Sequence, residues 1–175
     1  MNPKPTPVMA ATPWEGALPQ QLAEKFGTSI TECSTYLGQN FFVVEPATIH
    51  PVIAALKEQG FDYLVDLTAV DYPAKPERFE VVYILYSFAR NERVRVKARI
   101  KEGEKPHSVV ELYPTANWLE REVFDMFGIQ FADHPDLRRI LMPDDWNGHP
   151  LRKDYAITQM DNQWVQENLG IPSGQ

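Results

Sequence analysis

The chain has 175 residues, enough for one domain with a proper core, and its 43% hydrophobic and 23% charged residues fit an ordinary globular protein. A net charge of −7 argues against general affinity for nucleic acid or anionic lipid, and no run reaches the ~18 apolar residues that span a bilayer. A lone cysteine, Cys33, excludes a disulfide framework, a cysteine-rich zinc site and a cysteine-held iron–sulfur cluster.

The opening residues, MNPKPTPVMAATPWEGALP, lack the continuous apolar core of a secretory signal, and their prolines predict a flexible arm over 1–17. LPQQLAEKFG then places Leu18, Leu22 and Phe26 at i, i+4 and i+8 before Gly27, the pattern of a short amphipathic helix. SITECSTYLG, around Cys33, carries no motif. NFFVVE (Asn40 to Glu45) reads as a short strand. Thr48 is positioned to cap a second helix, whose Ile49, Val52, Ile53 and Leu56 share a face and which Gly60 ends.

FDYLVDLTAVDYP follows as a strand. FEVVYILYSF (Phe79 to Phe88) is almost continuously apolar, as expected of a central strand covered on both faces. RVRVKARI alternates strictly: Val94, Val96, Ala98 and Ile100 face one way, and Arg93, Arg95, Lys97 and Arg99 the other. The four-residue link ARNE makes these last two strands a hairpin. The basic row reads as the solvated face of an antiparallel edge rather than as a phosphate-binding strip. Ser108 and Glu111 in SVVE predict a small capping box. The expected fold is α+β: a mixed or antiparallel sheet of about four strands packed with helices over 18–131, then an extended docking segment over 132–175.

The segment NWLEREVFDMFGIQFADHPDLRRILMPDDWNGHPLRKDY, from Asn117 to Tyr155, concentrates charge. Its first part predicts a helix capped by Asn117, with Glu120 at the N3 position and Gly128 as its stop. Leu119, Val123, Met126 and Phe127 form the core stripe. Arg121, Glu122 and Asp125 lie opposite, Arg121 pairing with Asp125 at i,i+4. Glu120 breaks the pattern by projecting toward the apolar side, where an unpaired carboxylate is costly; an arginine from LRR or LRKDY is expected to fold back onto it.

The rest is irregular but ordered, anchored by Leu137, Ile140, Leu141, Met142, Trp146 and Leu151. Arg138, Arg139, Arg152 and Lys153 balance Asp136, Asp144, Asp145 and Asp154. His134, His149 and nearby aspartates are the residue types that hold zinc or iron, yet no H-x-x-x-H or H-E-x-x-H brings two ligands onto one helical face. There is no G-x-S-x-G, G-x-G-x-x-G or G-x-x-x-x-G-K either. The segment therefore reads as a charged brace and docking surface. In the tail, Trp164, Val165 and Leu169 form an apolar strip suited to embracing a neighbour.

EREVFDMFGIQFADHPDLRRIL, Glu120 to Leu141, closely resembles the signature of the 30 kDa subunit family of respiratory complex I, the C-type subunit of the bacterial enzyme. Glu120, Arg121, Glu122, Asp125, Met126, Phe127, His134, Arg138, Ile140 and Leu141 fill its slots, and GHPLRKDY (Gly148 to Tyr155) resembles the family's C-terminal element. The likeness extends more loosely from about Asn40, and the length matches the standalone bacterial form rather than a fusion with the quinone-site (D-type) subunit.

The resemblance implies a cofactor-free structural subunit of the peripheral arm of a proton-pumping NADH:quinone oxidoreductase, whose FMN and iron–sulfur clusters belong to other subunits. It would pack beside the D-type quinone-site subunit and the iron–sulfur subunits, on the cytoplasmic side of the bacterial inner membrane. Glu120, Arg121, Glu122, Asp125, His134, Arg138, Arg139, Trp146, Arg152, Lys153 and Asp154 then become candidates for internal bracing and partner contact, with no catalytic, cofactor or metal residue. The alternatives are an equivalent subunit of a membrane-bound hydrogenase or ferredoxin-fed complex, and a free-standing hydrolase with a metal on His134, His149 and aspartates.

Overall fold

The computed structural model describes residues 10–155 and 162–170. In chain order its elements are β1 (Thr12–Pro13), α1 (Ala17–Phe26), β2 (Ile30–Tyr36), β3 (Gln39–Val44), α2 (Ile49–Glu58), β4 (Tyr63–Asp71), β5 (Phe79–Ser87), β6 (Glu92–Ile100), α3 (Ala116–Phe127) and α4 (Asn162–Leu169). The fold is α+β, but its single sheet has six strands rather than about four, in the order β1-β2-β3-β6-β5-β4. All pairings are antiparallel except β3 with β6, which run parallel.

Both additional strands lie where the sequence gives no periodic signal. β2 is the SITECSTYLG stretch, whose polar Thr31, Glu32, Ser34 and Thr35 hide its pairing with β3. β1 falls within the span read as an arm: Thr12 and Pro13 pair with Thr35 and Ser34, and the Trp14 ring lies 4.9 Å from Phe42. A proline is tolerated there because the strand is an edge.

The parallel β3–β6 pairing also corrects the reading of β6 as an edge. Its partners are β3 on one side, from Asn40↔Val94 to Val44↔Ala98, and β5 on the other. Val94, Val96, Ala98 and Ile100 are completely buried, and with Tyr83, Leu85 and Phe42 they join α1, α2 and α3 in one core.

Helix boundaries follow the predicted faces, though not the predicted caps. Ile49, Val52, Ile53 and Leu56 of α2 are fully buried, yet Thr48 turns its hydroxyl back to the Glu45 carbonyl instead of capping the helix. α3 starts one residue ahead of Asn117, which lies inside it. The lead-in bonds Ala116 N→Tyr113 O, Asn117 N→Pro114 O and Trp118 N→Thr115 O already satisfy the first amides, so no side-chain cap forms. Gly128 ends α3 in the left-handed conformation.

The Ser108–Glu111 capping box does not form either. Ser108 Oγ accepts from Val110 N at 3.2 Å, while Glu111 pairs with His50 Nε2 at 2.7 Å, because 108–113 is a tight turn rather than a helix.

Candidate functional site

The chain beyond α3 returns across the face of that helix expected to meet solvent. Arg121 and Asp125 are therefore buried, and their i,i+4 pair does not form. Asp125 instead spends its carboxylate on the returning loop: Oδ1 accepts from Arg139 Nη1 at 2.7 Å, and Oδ2 from the backbone amides of Ile140, Leu141 and Met142 at 3.0, 2.7 and 2.9 Å. Burial pushes this carboxyl group's pKa up. The three amides and the guanidinium more than offset that, holding it below the usual carboxylate range.

Arg121 is directed to the same loop. Its Nε and Nη2 donate to the Arg138 and Arg139 carbonyls, both at 3.2 Å, with the guanidinium 5.0 Å from the Trp118 ring. Arg139 Nη2 also donates to the carbonyls of Trp146 and Gly148. One acid and two arginines thus supply the hydrogen bonds that an irregular segment cannot make with itself.

Glu120 is completely buried, and no arginine among the described residues pairs with it. Its Oε1 accepts from Val109 N at 2.8 Å and it bonds the Ser108 hydroxyl, while Oε2 has no hydrogen-bond partner among the described residues. The predicted arginine is absent because the 106–113 turn gets there first with a backbone amide, and because both arginines of LRR are used elsewhere. Burial raises the Glu120 pKa to about 7 against the lowering effect of those two bonds.

Tyr83, also fully buried and with its hydroxyl unpaired among the described residues, has its pKa raised by burial and by Glu120. His134 Nε2 stands 3.9 Å from Glu120 Oε2 but donates to the Asn117 carbonyl at 3.2 Å; its Nδ1 accepts from Asp136 N at 3.0 Å. These bonds fix one neutral tautomer, and burial keeps it neutral by lowering its pKa. Neither ring nitrogen is left for a metal. His149 likewise donates from Nδ1 to the Asp125 carbonyl at 2.9 Å, and among the described residues no three His, Cys, Asp or Glu side chains cluster as metal ligands.

The HPLRKDY element is pinned to the sheet by residues that sequence reasoning missed. Arg78, in the β4–β5 connection, forms a fork on Asp71 at 2.9 and 3.0 Å and reaches Glu102 at 3.2 Å and Asp154 at 2.8 Å. Arg152 donates to Glu102 at 2.7 Å and to the Phe127 carbonyl at 2.6 Å, and Lys153 N donates to Asp71 Oδ2 at 2.8 Å. Arg78 above all, then the amide of Lys153, hold the Asp71 carboxyl low despite its burial. The one available signal is local: Asp71 closes the strand and Arg78 follows seven residues later, beyond the turn.

Trp146 is buried, and its ring meets Trp164 of α4 at 5.5 Å. The tail strip is thus engaged within the chain: Val165 is buried, Trp164 Nε1 donates to Asp145 at 2.7 Å, and Leu169 is exposed. What faces outward is a different set. Glu122 is exposed, Arg138 pairs only with Asp136 at the surface among the described residues, and Lys153 points to solvent. Trp118, Leu141 and Leu151 are exposed as well.

The family described as "Respiratory-chain NADH dehydrogenase, 30 Kd subunit" matches residues 42–161. The C-type subunit of the NADH-quinone oxidoreductase of Geotalea uraniireducens is 47% identical over 145 residues, 82% of this chain and 88% of that one. A trypsin-resistant Nqo5 fragment superposes with a TM-score of 0.61 at 34% identity, covering 69% of this chain and 98% of the fragment. A chain of an archaeal membrane-bound sulfane sulfur reductase superposes at 0.70 with 27% identity, covering 88% and 90%. This chain belongs to the 30 kDa subunit family of the respiratory-chain NADH dehydrogenase.

Proposed function

We propose that the chain is a structural and assembly subunit of the peripheral arm of a proton-pumping NADH:quinone oxidoreductase. In this reading it holds no cofactor of its own and packs beside the D-type quinone-site subunit on the cytoplasmic side of the membrane. The observation that carries the reading is how the charges of α3 and of the segment after it are used. Asp125, Arg121, Arg139, Arg152 and Asp154 are committed to intramolecular bonds that give an irregular return segment a fixed shape. Helix α3 then presents Trp118 and Glu122 outward, and the segment braced against it presents Arg138, Leu141 and Lys153, a mixed apolar and charged composition like that of an interface core with a charged rim. No helix among the described residues is long and apolar enough to cross a membrane, so in this reading attachment is through partners.

The test is affinity purification of the tagged chain from native membranes. Recovery with quinone-site and iron–sulfur subunits supports the proposal, and a monodisperse soluble protein carrying bound metal overturns it. The likeness to a chain of the sulfane sulfur reductase favours a second reading, the equivalent subunit of a related membrane-bound complex. The electron-input subunits recovered in the same purification distinguish the two.

A further inference from the structure

The sheet has two faces, and α1, α2 and α3 all pack on one of them. The buried apolar residues of α1, α2 and α3 all join the core with Val94, Val96, Ala98 and Ile100. Phe41, Val43 and Val82 are also buried yet lie outside that core, since their register places them on the opposite face. Along this second face run Arg93, Arg95, Lys97 and Arg99 of β6, directly across from Tyr86, Ile84, Val82 and Glu80 of β5. On the other side, Arg95 and Lys97 register with Phe41 and Val43 of β3. The long basic side chains lie over this apolar floor, with Lys97 Nζ 4.4 Å from the Phe41 ring centre.

We propose that this face is a docking surface for an acidic amphipathic helix of a neighbouring subunit, an inference that rests on the reading of the chain as part of a complex. Charge carries it. In a chain of net charge −7, four consecutive outward positions of one strand are basic. Glu80 is shared between Lys97 at 3.8 Å and Arg99 at 3.5 Å, while Arg93 and Arg95 form no salt bridge among the described residues.

A solvated edge would explain such a row, but β6 is interior to the sheet and its row lies along the middle of the open face. Alternate residues on a strand are about 6.6 Å apart. Carboxylates at i, i+4 and i+8 of a helix recur about every 6 Å, so a helix laid along β6 meets the basic row nearly in step. Its apolar residues would then meet the half-buried Ile84 and Tyr86 beside the row, and the bound helix would complete a sheet with helices on both faces.

The test places the photo-crosslinking residue p-benzoylphenylalanine at Arg93 or Arg99, both exposed, and at the exposed Glu24 of α1 as a control. Intact cells are irradiated, and the adducts are identified by mass spectrometry. The expected result is one peptide, captured from Arg93 and Arg99 but not from Glu24, with net negative charge and apolar residues at helical spacing. A lipid or nucleic-acid adduct, a second copy of this chain, a neutral or basic peptide, or no adduct overturns the proposal.

A second arm compares Arg93→Glu/Arg95→Glu with Arg93→Lys/Arg95→Lys. The reversal should release the captured protein at salt about twofold lower or less, with the lysine pair unchanged. Equal release from both variants overturns the electrostatic basis. Because irradiation precedes purification, failure of the chain to co-purify with respiratory subunits would count against the proposed function while leaving this contact independently readable.

Discussion

Arg139 Nη1 meets Asp125 Oδ1 at 2.7 Å, and the other oxygen of Asp125 gathers the amides of the three residues that follow Arg139 in the chain. One buried carboxylate thus serves as the turning post of the return segment. Asp125 fills the acidic slot of the family signature, whereas Arg139, its partner here, lies just after the signature's basic slot at Arg138.

Asp125→Ala should therefore lose on the order of 3 kcal/mol or more, since it leaves Arg139 without its ion-pair partner and three amides without an acceptor. Amide hydrogen exchange at Ile140, Leu141 and Met142 reads the effect directly. Asp125→Asn keeps an acceptor and should preserve part of that protection. The low pKa of Asp125 gives the pH sign: its contribution is complete above the ordinary carboxylate range and is lost as pH falls through its depressed folded-state value. Unchanged protection of the three amides in Asp125→Ala would contradict this account.

Glu120 acts in the opposite direction. Its folded pKa of about 7 lies above the ordinary glutamate range, so between that range and neutrality the folded state holds a proton the unfolded chain has released. Stability therefore falls as pH rises across that window and levels off above it. Glu120→Gln removes this slope. The two proteins should be equally stable near pH 4, with the variant ahead by about 3 kcal/mol above pH 7. His134, with its lowered pKa, costs stability as pH falls, but it is present in both proteins and cancels in the difference. Chemical denaturation at several pH values checks this, and a pH-independent difference would refute the buried-proton reading.

How far these residues were legible in advance depended on whether their partners were local. The apolar faces of α1, α2 and β6 follow from spacing within a single element, and the structure reproduces them. The site was only half legible. The position of Glu120 on the helix shows it to be anomalous, but its partner is an amide from a turn that no local pattern announces. The helical spacing points Arg121 and Asp125 to solvent because nothing in α3 itself encodes the loop that covers them. β6 reads as an edge from its alternation because the strand completing its pairing comes from about fifty residues earlier in the chain, and runs parallel. The Asp71–Lys153 bond spans 82 residues, beyond the reach of any spacing argument.

Gly128→Ala tests the pinning of the C-terminal element without removing a charge. The position has φ +76, and an added Cβ would come within 2.6 Å of His149 Nε2 and 2.7 Å of Arg152 Nη2, the groups that hold HPLRKDY against the end of α3. Gly38→Ala, in the β2–β3 turn, is the control: φ is +72 there, with no atom within 4 Å. The control should cost roughly 1–2 kcal/mol from the left-handed backbone alone. The Gly128 variant should cost measurably more and speed proteolysis after Leu151. Equal losses would mean the contacts at Gly128 yield freely.

Arg138 and Arg139 are adjacent, share a charge, and should separate folding from assembly. The Arg138 side chain is 67% exposed and pairs with Asp136, itself 53% exposed. A surface pair of this kind contributes little, so Arg138→Glu should stay within about 0.5 kcal/mol of the wild type. If the outward set around Trp118, Glu122 and Leu141 contacts a neighbour in the complex, the same reversal should lower recovery of the assembled complex, since like charges across an interface are penalised. Arg139→Glu should fail earlier: it sets a second carboxylate beside the buried Asp125 and abandons the Trp146 and Gly148 carbonyls, so the isolated chain itself loses its folded return segment. Thermal unfolding of the isolated chains and quantification of the complex from membranes give the two readouts. A normal complex from Arg138→Glu would remove that residue from the interface, and a fully stable Arg139→Glu chain would remove Arg139 from the brace.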